Sequence, residues 1–124
     1  MSIPFDDFDD VPAERWAELL ERAERAYERA HAPYSDHPVG AALLTISGEV
    51  FEGCNVENVS NAASVCAERN AVGNAVTHGH SNFAALCVVS PDSPAAPCGI
   101  CRQVLVEFGD ELPILAADAT GNWR

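Results

Sequence analysis

Residues 39–57 read VGAALLTISGEVFEGCNVE, and this stretch decides the fold. Val39–Ile46 is short and mostly apolar, Ser47-Gly48 is a turn signal, and Glu49–Glu57 follows as a second extended segment. Two such segments around a glycine turn predict a β-hairpin. Downstream the pattern changes period. From Ser64 a helical pattern runs to Thr77 and stops at His78-Gly79. Phe83–Val89 is a continuous apolar run, short enough for a buried strand. Pro91–Pro97 is broken by Pro and Ser and reads as a loop. Cys98–Phe108 then reads as a helix closed by Gly109, and Leu112–Ala116 as a last strand. Upstream, Trp16, Leu19, Leu20, Ala23, Ala26, Tyr27 and Ala30 share one helical stripe between Pro12 and Pro33. Glu18–Arg22 and Glu21–Arg25 are i,i+4 pairs on the opposite, solvated face. The order α-β-β-α-β-α-β predicts a mixed sheet flanked by helices.

A chain of 124 residues is one domain's worth, so residues 1–124 are read as a single domain with Met1–Val11 an acidic arm. No apolar run approaches the ~20 residues of a membrane span, and Met1–Asp10 does not resemble a signal peptide. A cytoplasmic protein without a membrane partner is expected. Nineteen acidic residues stand against seven basic ones, all arginine, for a formal net charge of −12. Such a chain repels a phosphate backbone, which excludes nucleic acid as a partner. Five cysteines at irregular spacing point to metal binding or catalysis, not to a disulfide framework.

Two cysteine clusters carry the chemistry. Cys66-Ala67-Glu68 stands at the start of the second helix, and Pro97-Cys98-Gly99-Ile100-Cys101 stands where a loop becomes the third. Helix N-termini favour thiolates and anionic metal–thiolate centres. If both helices start at one sheet edge, Cys66, Cys98 and Cys101 supply three ligands, the number typical of catalytic zinc with one position left for water. Glu68 is then a carboxylate beside that position, placed to shuttle a proton. Asn55 and Glu57, two apart in an extended segment, point the same way and offer an amide and a carboxylate on one face. Read structurally, that pair caps the following loop instead. Cys54 and Cys87 read as core residues, and His78 and His80 as solvated helix-end residues.

The paired motifs Cys66-Ala67-Glu68-Arg69 and Pro97-Cys98-x-x-Cys101-Arg102-Gln103 resemble the all-cysteine form of the zinc deaminase signature. Pro33-Tyr34-Ser35, Val39-Gly40-Ala41-Ala42 and Gly53-Cys54-Asn55-Val56-Glu57-Asn58 agree, in order, with the cytidine deaminase family. The resemblance spans about residues 15–118, and it implies a three-layer α/β/α sandwich with a mixed central sheet. It implies a Zn2+ enzyme of pyrimidine salvage that hydrolyses cytidine or 2'-deoxycytidine to the uridine form with release of ammonia. Cys66, Cys98 and Cys101 are then the zinc ligands and Glu68 the acid/base. Asn55 and Glu57 hold the ribose hydroxyls, and the backbone at Ala67 and Pro97 meets the pyrimidine edge. Arg69 and Gln103 donate hydrogen bonds to the thiolates. His37 stands where the family usually carries an aromatic near the nucleoside, and Asn61 where a Tyr that reaches a neighbouring subunit is common. The chain stops at Arg124, short of the family's last strand and tail. The short members of this family imply a homotetramer.

Three other readings compete. A blasticidin S deaminase-like enzyme would act on a modified nucleoside, but departs from this chain at the acid kept here as Glu57. Cys98-Gly99-Ile100-Cys101 also resembles a thioredoxin-type redox pair, which leaves Cys66-Ala67-Glu68 without a role. A non-catalytic zinc module needs four protein ligands, and three candidates are present.

Overall fold

The computed structural model describes residues 11–60, 63–91, 99–108 and 112–118. Strands β1 (Gly40–Thr45) and β2 (Val50–Cys54) form the expected antiparallel hairpin, with Leu43 opposite Phe51. Gly48, at φ 96°, supplies the left-handed turn conformation that a side chain resists. β1 also pairs antiparallel with β3 (Phe83–Ser90), and β3 pairs parallel with β4 (Ile114–Asp118). The sheet order is β2-β1-β3-β4, a mixed sheet.

Every residue of β1 is buried, because helices cover both faces. Ala42, Leu44, Ala85, Cys87 and Val89 face α1 (Ala13–Tyr27), which buries Trp16, Leu19, Leu20, Ala23 and Ala26. Ala41, Leu43, Leu86 and Val88 face the opposite way, against α2 (Ala67–Thr77) and Leu105 of α3 (Gly99–Glu107). This is the expected three-layer α/β/α arrangement. Among the described residues, no helix is long and apolar enough to cross a membrane.

Two glycines set how closely the helices approach. A Cβ on Gly40 would meet the α1 backbone, 2.7 Å from Tyr27 Cα, and one on Gly53 would meet the α2 backbone, 2.9 Å from Ala71 Cα. The helices therefore rest directly on the strands at the end where β1 begins and β2 stops.

The structure corrects several expectations. The first helix ends at Tyr27, short of Ala30. The chain then pairs with residues 55–57: His31 N donates to Asn55 O at 3.0 Å, and Glu57 N donates to His31 O at 2.8 Å. Tertiary pairing outweighs local helix propensity there. The second strand likewise stops at Cys54, not Glu57, and the second helix starts at Ala67, not Ser64. Val11, assigned to the arm, is buried in the α1 cluster. Cys87 is core as expected, and burial pushes its thiol well up, so it stays protonated and inert. Cys54 is only half-buried, its Sγ donating to Arg29 O at 3.7 Å. His80 is not simply solvated: its Nε2 lies 2.6 Å from Glu49, and the His78 and His80 rings flank Phe51.

The charged face of α1 is also not merely solvated. Arg22 Nε and Arg25 Nη2 both donate to Glu52 Oε2 on β2, the latter at 2.6 Å, in place of the i,i+4 pairs. Partial burial alone raises the Glu52 carboxyl, but hydrogen bonds from Arg25 and Arg22 outweigh it and hold the group below its ordinary value. A depressed folded-state value stabilises the fold above the unfolded pKa of about 4.3, and that contribution is lost as pH falls through the folded value. Glu52→Gln is therefore expected to lower Tm by about 3–5 °C at pH 7. At pH 3 the difference from wild type should shrink, and a constant difference across pH would contradict the assignment.

Candidate active site

Strand register fixes where the helices start. Gly40 pairs with Cys54 on one side and Val89 on the other, and β4 runs parallel to β3. The carboxyl ends of β2, β3 and β4 therefore share one sheet edge. α2 leads into β3, whose first residue, Phe83, pairs with Thr45 at the opposite edge, so α2 begins at the shared edge. α3 joins two parallel strands and begins there too. The condition on the two cysteine-bearing helix N-termini is met.

Cys66 is the N-cap of α2, with extended φ −74° and ψ 156°, and Asn70 N donates to its carbonyl at 3.1 Å. Ala67 is fully buried behind it and Glu68 is 5% exposed, an unusual place for a carboxylate. Arg69 Nη2 donates to Ser64 O at 3.1 Å, and Asn70 Nδ2 donates to Cys54 O at 2.7 Å, tying the first turn of α2 to the end of β2. Cys101 lies in the first turn of α3, whose backbone alone is described at that position. Pro97, Cys98 and Asn61 lie outside the described residues. Gln103 is exposed on α3. Among the described residues, no three His, Cys, Asp or Glu side chains gather as a metal-ligand set. The donor chemistry nonetheless suits zinc: thiols at two helix N-termini on one edge, where free N–H groups favour thiolates, with a buried carboxylate two residues from the first.

Beside Cys66 opens a hollow of about 330 Å³, walled by Tyr34 and Ser35, by Asn55, Glu57 and Asn58, and by Ser64 and Val65. The segment 55–57 is held between two neighbours, since Val56 pairs with Val65 through mutual 2.9 Å hydrogen bonds while His31 brackets it from the other side. Asn55 and Glu57 thus line the hollow together, as period-two spacing requires, although β2 stops at Cys54, short of both. His37 is exposed and is not part of this lining. Its contribution is backbone.

The polar valences of the two lining residues are largely used within the chain. Glu57 Oε1 accepts from the N–H groups of Tyr34 and Ser35 at 3.0 and 3.1 Å, and Oε2 accepts from Ser35 Oγ. The Ser35 hydroxyl first, then the Ser35 and Tyr34 N–H groups, hold the Glu57 carboxyl below its ordinary value, so it is ionised at neutral pH. Asn55 Oδ1 accepts from Val39 N at 2.9 Å and Nδ2 donates to His37 O at 3.0 Å. That leaves one N–H and one Oδ1 lone pair on Asn55 and one acceptor position on Glu57 Oε2, which include the donor and the charged acceptor that one hydroxyl needs. The reading of this pair as a cap on residues 58–63 is corrected: its internal partners are residues 34–39. Sequence reasoning assigned no role to Ser35, although Pro33-Tyr34-Ser35-Asp36 is a turn signal. Asp36 adopts φ 54°, which Asp tolerates better than most residues.

Residues 14–116 match the family model described as the cytidine and deoxycytidylate deaminase zinc-binding region. A cytidine deaminase of Sporosarcina psychrophila is 42% identical over 106 residues, covering 84% of this chain and 78% of its own. The crystal structure of cytidine deaminase from Burkholderia pseudomallei superposes with a TM-score of 0.83 at 46% identity, covering 87% of this chain and 88% of that one. A blasticidin-S deaminase of Bacillus cereus is more distant, at 33% identity over 107 residues, 77% of this chain and 76% of its own. The chain belongs to the cytidine and deoxycytidylate deaminase family.

Proposed function

We propose that this protein is a zinc-dependent hydrolase that converts cytidine and 2'-deoxycytidine to uridine and 2'-deoxyuridine, releasing ammonia. The observation that carries this reading is the shared edge: the helices bearing Cys66-Ala67-Glu68 and Cys101 begin at one end of the sheet, and Cys66 lines the hollow that Asn55 and Glu57 also line. Cys66, Cys98 and Cys101 hold the metal. Zinc, when bound, supplies the Lewis acidity that makes a water nucleophilic at neutral pH. Glu68 takes one proton from the attacking water and delivers it to N3 of the base, then carries the remaining hydroxyl proton to the amino nitrogen as its bond to C4 breaks, so the two protons of the water end on N3 of uridine and on ammonia. The backbone at Ala67 and Pro97 meets the base edge, and Arg69 and Gln103 moderate the charge of the thiolates. Metal analysis of protein prepared without chelator tests the ligand set: about one zinc per chain is expected. A value near zero would overturn it and favour a redox pair.

Asn55 and Glu57 engage one sugar hydroxyl, which donates to Oε2 and accepts from Nδ2. Free cytosine leaves both groups without that partner, so its kcat/KM should fall below that of cytidine by about 10²-fold or more. Glu57→Gln should raise KM for nucleosides with zinc content unchanged. Equal turnover of cytosine and cytidine would contradict the role of both residues. The 42% identity to the Sporosarcina cytidine deaminase against 33% to the blasticidin-S enzyme, with Glu57 retained, favours the unmodified nucleoside.

The enzyme works in the cytoplasm, in pyrimidine salvage, as a homotetramer. Supporting assembly, Val59 and Tyr34, next to the hollow, are 82% and 63% exposed in the single chain, apolar surface that a second copy would cover. Light scattering should give the tetramer mass, and a stable, active monomer would be the contrary result.

A further inference from the structure

Ser35 is held from two sides. Its Oγ accepts from His37 N at 3.1 Å, a local Ser turn, so its single proton is directed to Glu57 Oε2. Glu57 Oε1 is filled by two backbone N–H groups. A carboxylate offers about four acceptor positions. Three are therefore taken by the 34–35 turn, and the fourth is the one assigned above to a sugar hydroxyl. A vicinal pair of hydroxyls approaching this carboxylate finds a charged acceptor for one of them only. The second is left with water or with the neutral Asn55 Oδ1, which already accepts from Val39 N.

We infer that Ser35 is a specificity-determining residue: by occupying the second acceptor position on Glu57 Oε2, its hydroxyl keeps the site indifferent to whether the sugar carries one hydroxyl or a vicinal pair. The inference rests on the nucleoside-deaminase reading of this hollow and adds to it the residue that sets ribose against 2'-deoxyribose. Removing the hydroxyl frees a charged acceptor at the position a neighbouring hydroxyl can reach, which benefits the ribonucleoside alone. The turn itself keeps its two backbone bonds to Oε1 when the hydroxyl is gone; His37 N, on the exposed side of the turn, also loses its acceptor, and on Glu57 the change is confined to Oε2.

The test is kcat/KM for cytidine and for 2'-deoxycytidine in the wild type, Ser35→Ala and Ser35→Thr. In Ser35→Ala the cytidine to 2'-deoxycytidine ratio is expected to rise about tenfold, the effect of one added hydrogen bond to a charged acceptor. Ser35→Thr keeps the hydroxyl and should return the ratio to that of the wild type. A merely structural role would lower both nucleosides alike and leave the ratio fixed. Ser35→Gly carries the same comparison if alanine disturbs the turn. An unchanged ratio in an active Ser35→Ala or Ser35→Gly enzyme would overturn this inference and leave the deaminase reading intact. A wild-type enzyme that deaminates neither nucleoside would overturn both.

Discussion

Glu68→Gln is expected to lower kcat for cytidine by about 10²–10⁴-fold, the usual range for loss of a general acid–base group. Glu68 is the second residue of α2 and is buried, so the variant side chain sits in the same enclosed position at the same size. Glutamine keeps the volume and the hydrogen-bonding reach but cannot take or return a proton. The proposed thiol ligands Cys66, Cys98 and Cys101 are untouched, so zinc content should stay near that of the wild type. Rate and metal content must be measured on the same preparation. Near-full rate in the variant would remove Glu68 from the chemistry, whereas loss of metal would make it a ligand.

Gly53→Ala should destabilise the fold strongly, because the added methyl meets helix backbone and not a side chain. The new Cβ would press on the backbone of α2 at Ala67 and Ala71, next to Glu68. Backbone cannot rotate out of the way as a side chain can, so the helix must move. The expected cost is about 2–4 kcal/mol, or roughly 10 °C in Tm. Activity should fall as well, because the bond from Asn70 Nδ2 to Cys54 O that registers the first turn of α2 is stretched by the same displacement. Gly73 provides the opposite sign. It lies within α2, exposed, with nothing within 4 Å of an added Cβ. Gly73→Ala should stabilise by about 0.5–1 kcal/mol through helix propensity alone. Thermal melts of the two variants check both signs, and an unshifted Tm in Gly53→Ala would mean that α2 does not rest on β2 as described.

The features legible in the sequence are those that local pattern controls. The Ser47-Gly48 turn, the buried run of β3 and the stripe of α1 as far as Tyr27 each declare themselves within a few residues, and the structure carries all three; only Ala30 of the stripe falls beyond the helix. The shared edge of the two cysteine-bearing helices was conditional, and strand pairing meets the condition. What could not be read depends on distant partners. Glu52 draws Arg22 from 30 residues away, and nothing in either segment marks the pair. Glu57 is bound by Tyr34 N, 23 residues earlier, so its neighbours along the chain gave no sign that its carboxylate is mostly occupied. His31 ends α1 early for the same reason, because its hydrogen bonds go to Asn55 and Glu57.

The reaction expected at the edge where α2 and α3 begin is hydrolysis of the 4-amino group of a cytosine nucleoside. Its most direct test is an ultraviolet assay of the purified protein with cytidine, following the change of the base spectrum as the amino group is replaced by oxygen, with Glu68→Gln as the blank. Conversion to uridine is expected, with one ammonia released per uridine formed, and almost none in the blank. A wild-type protein that leaves the cytidine spectrum unchanged with zinc bound, or a blank that converts cytidine as fast as wild type, would contradict it.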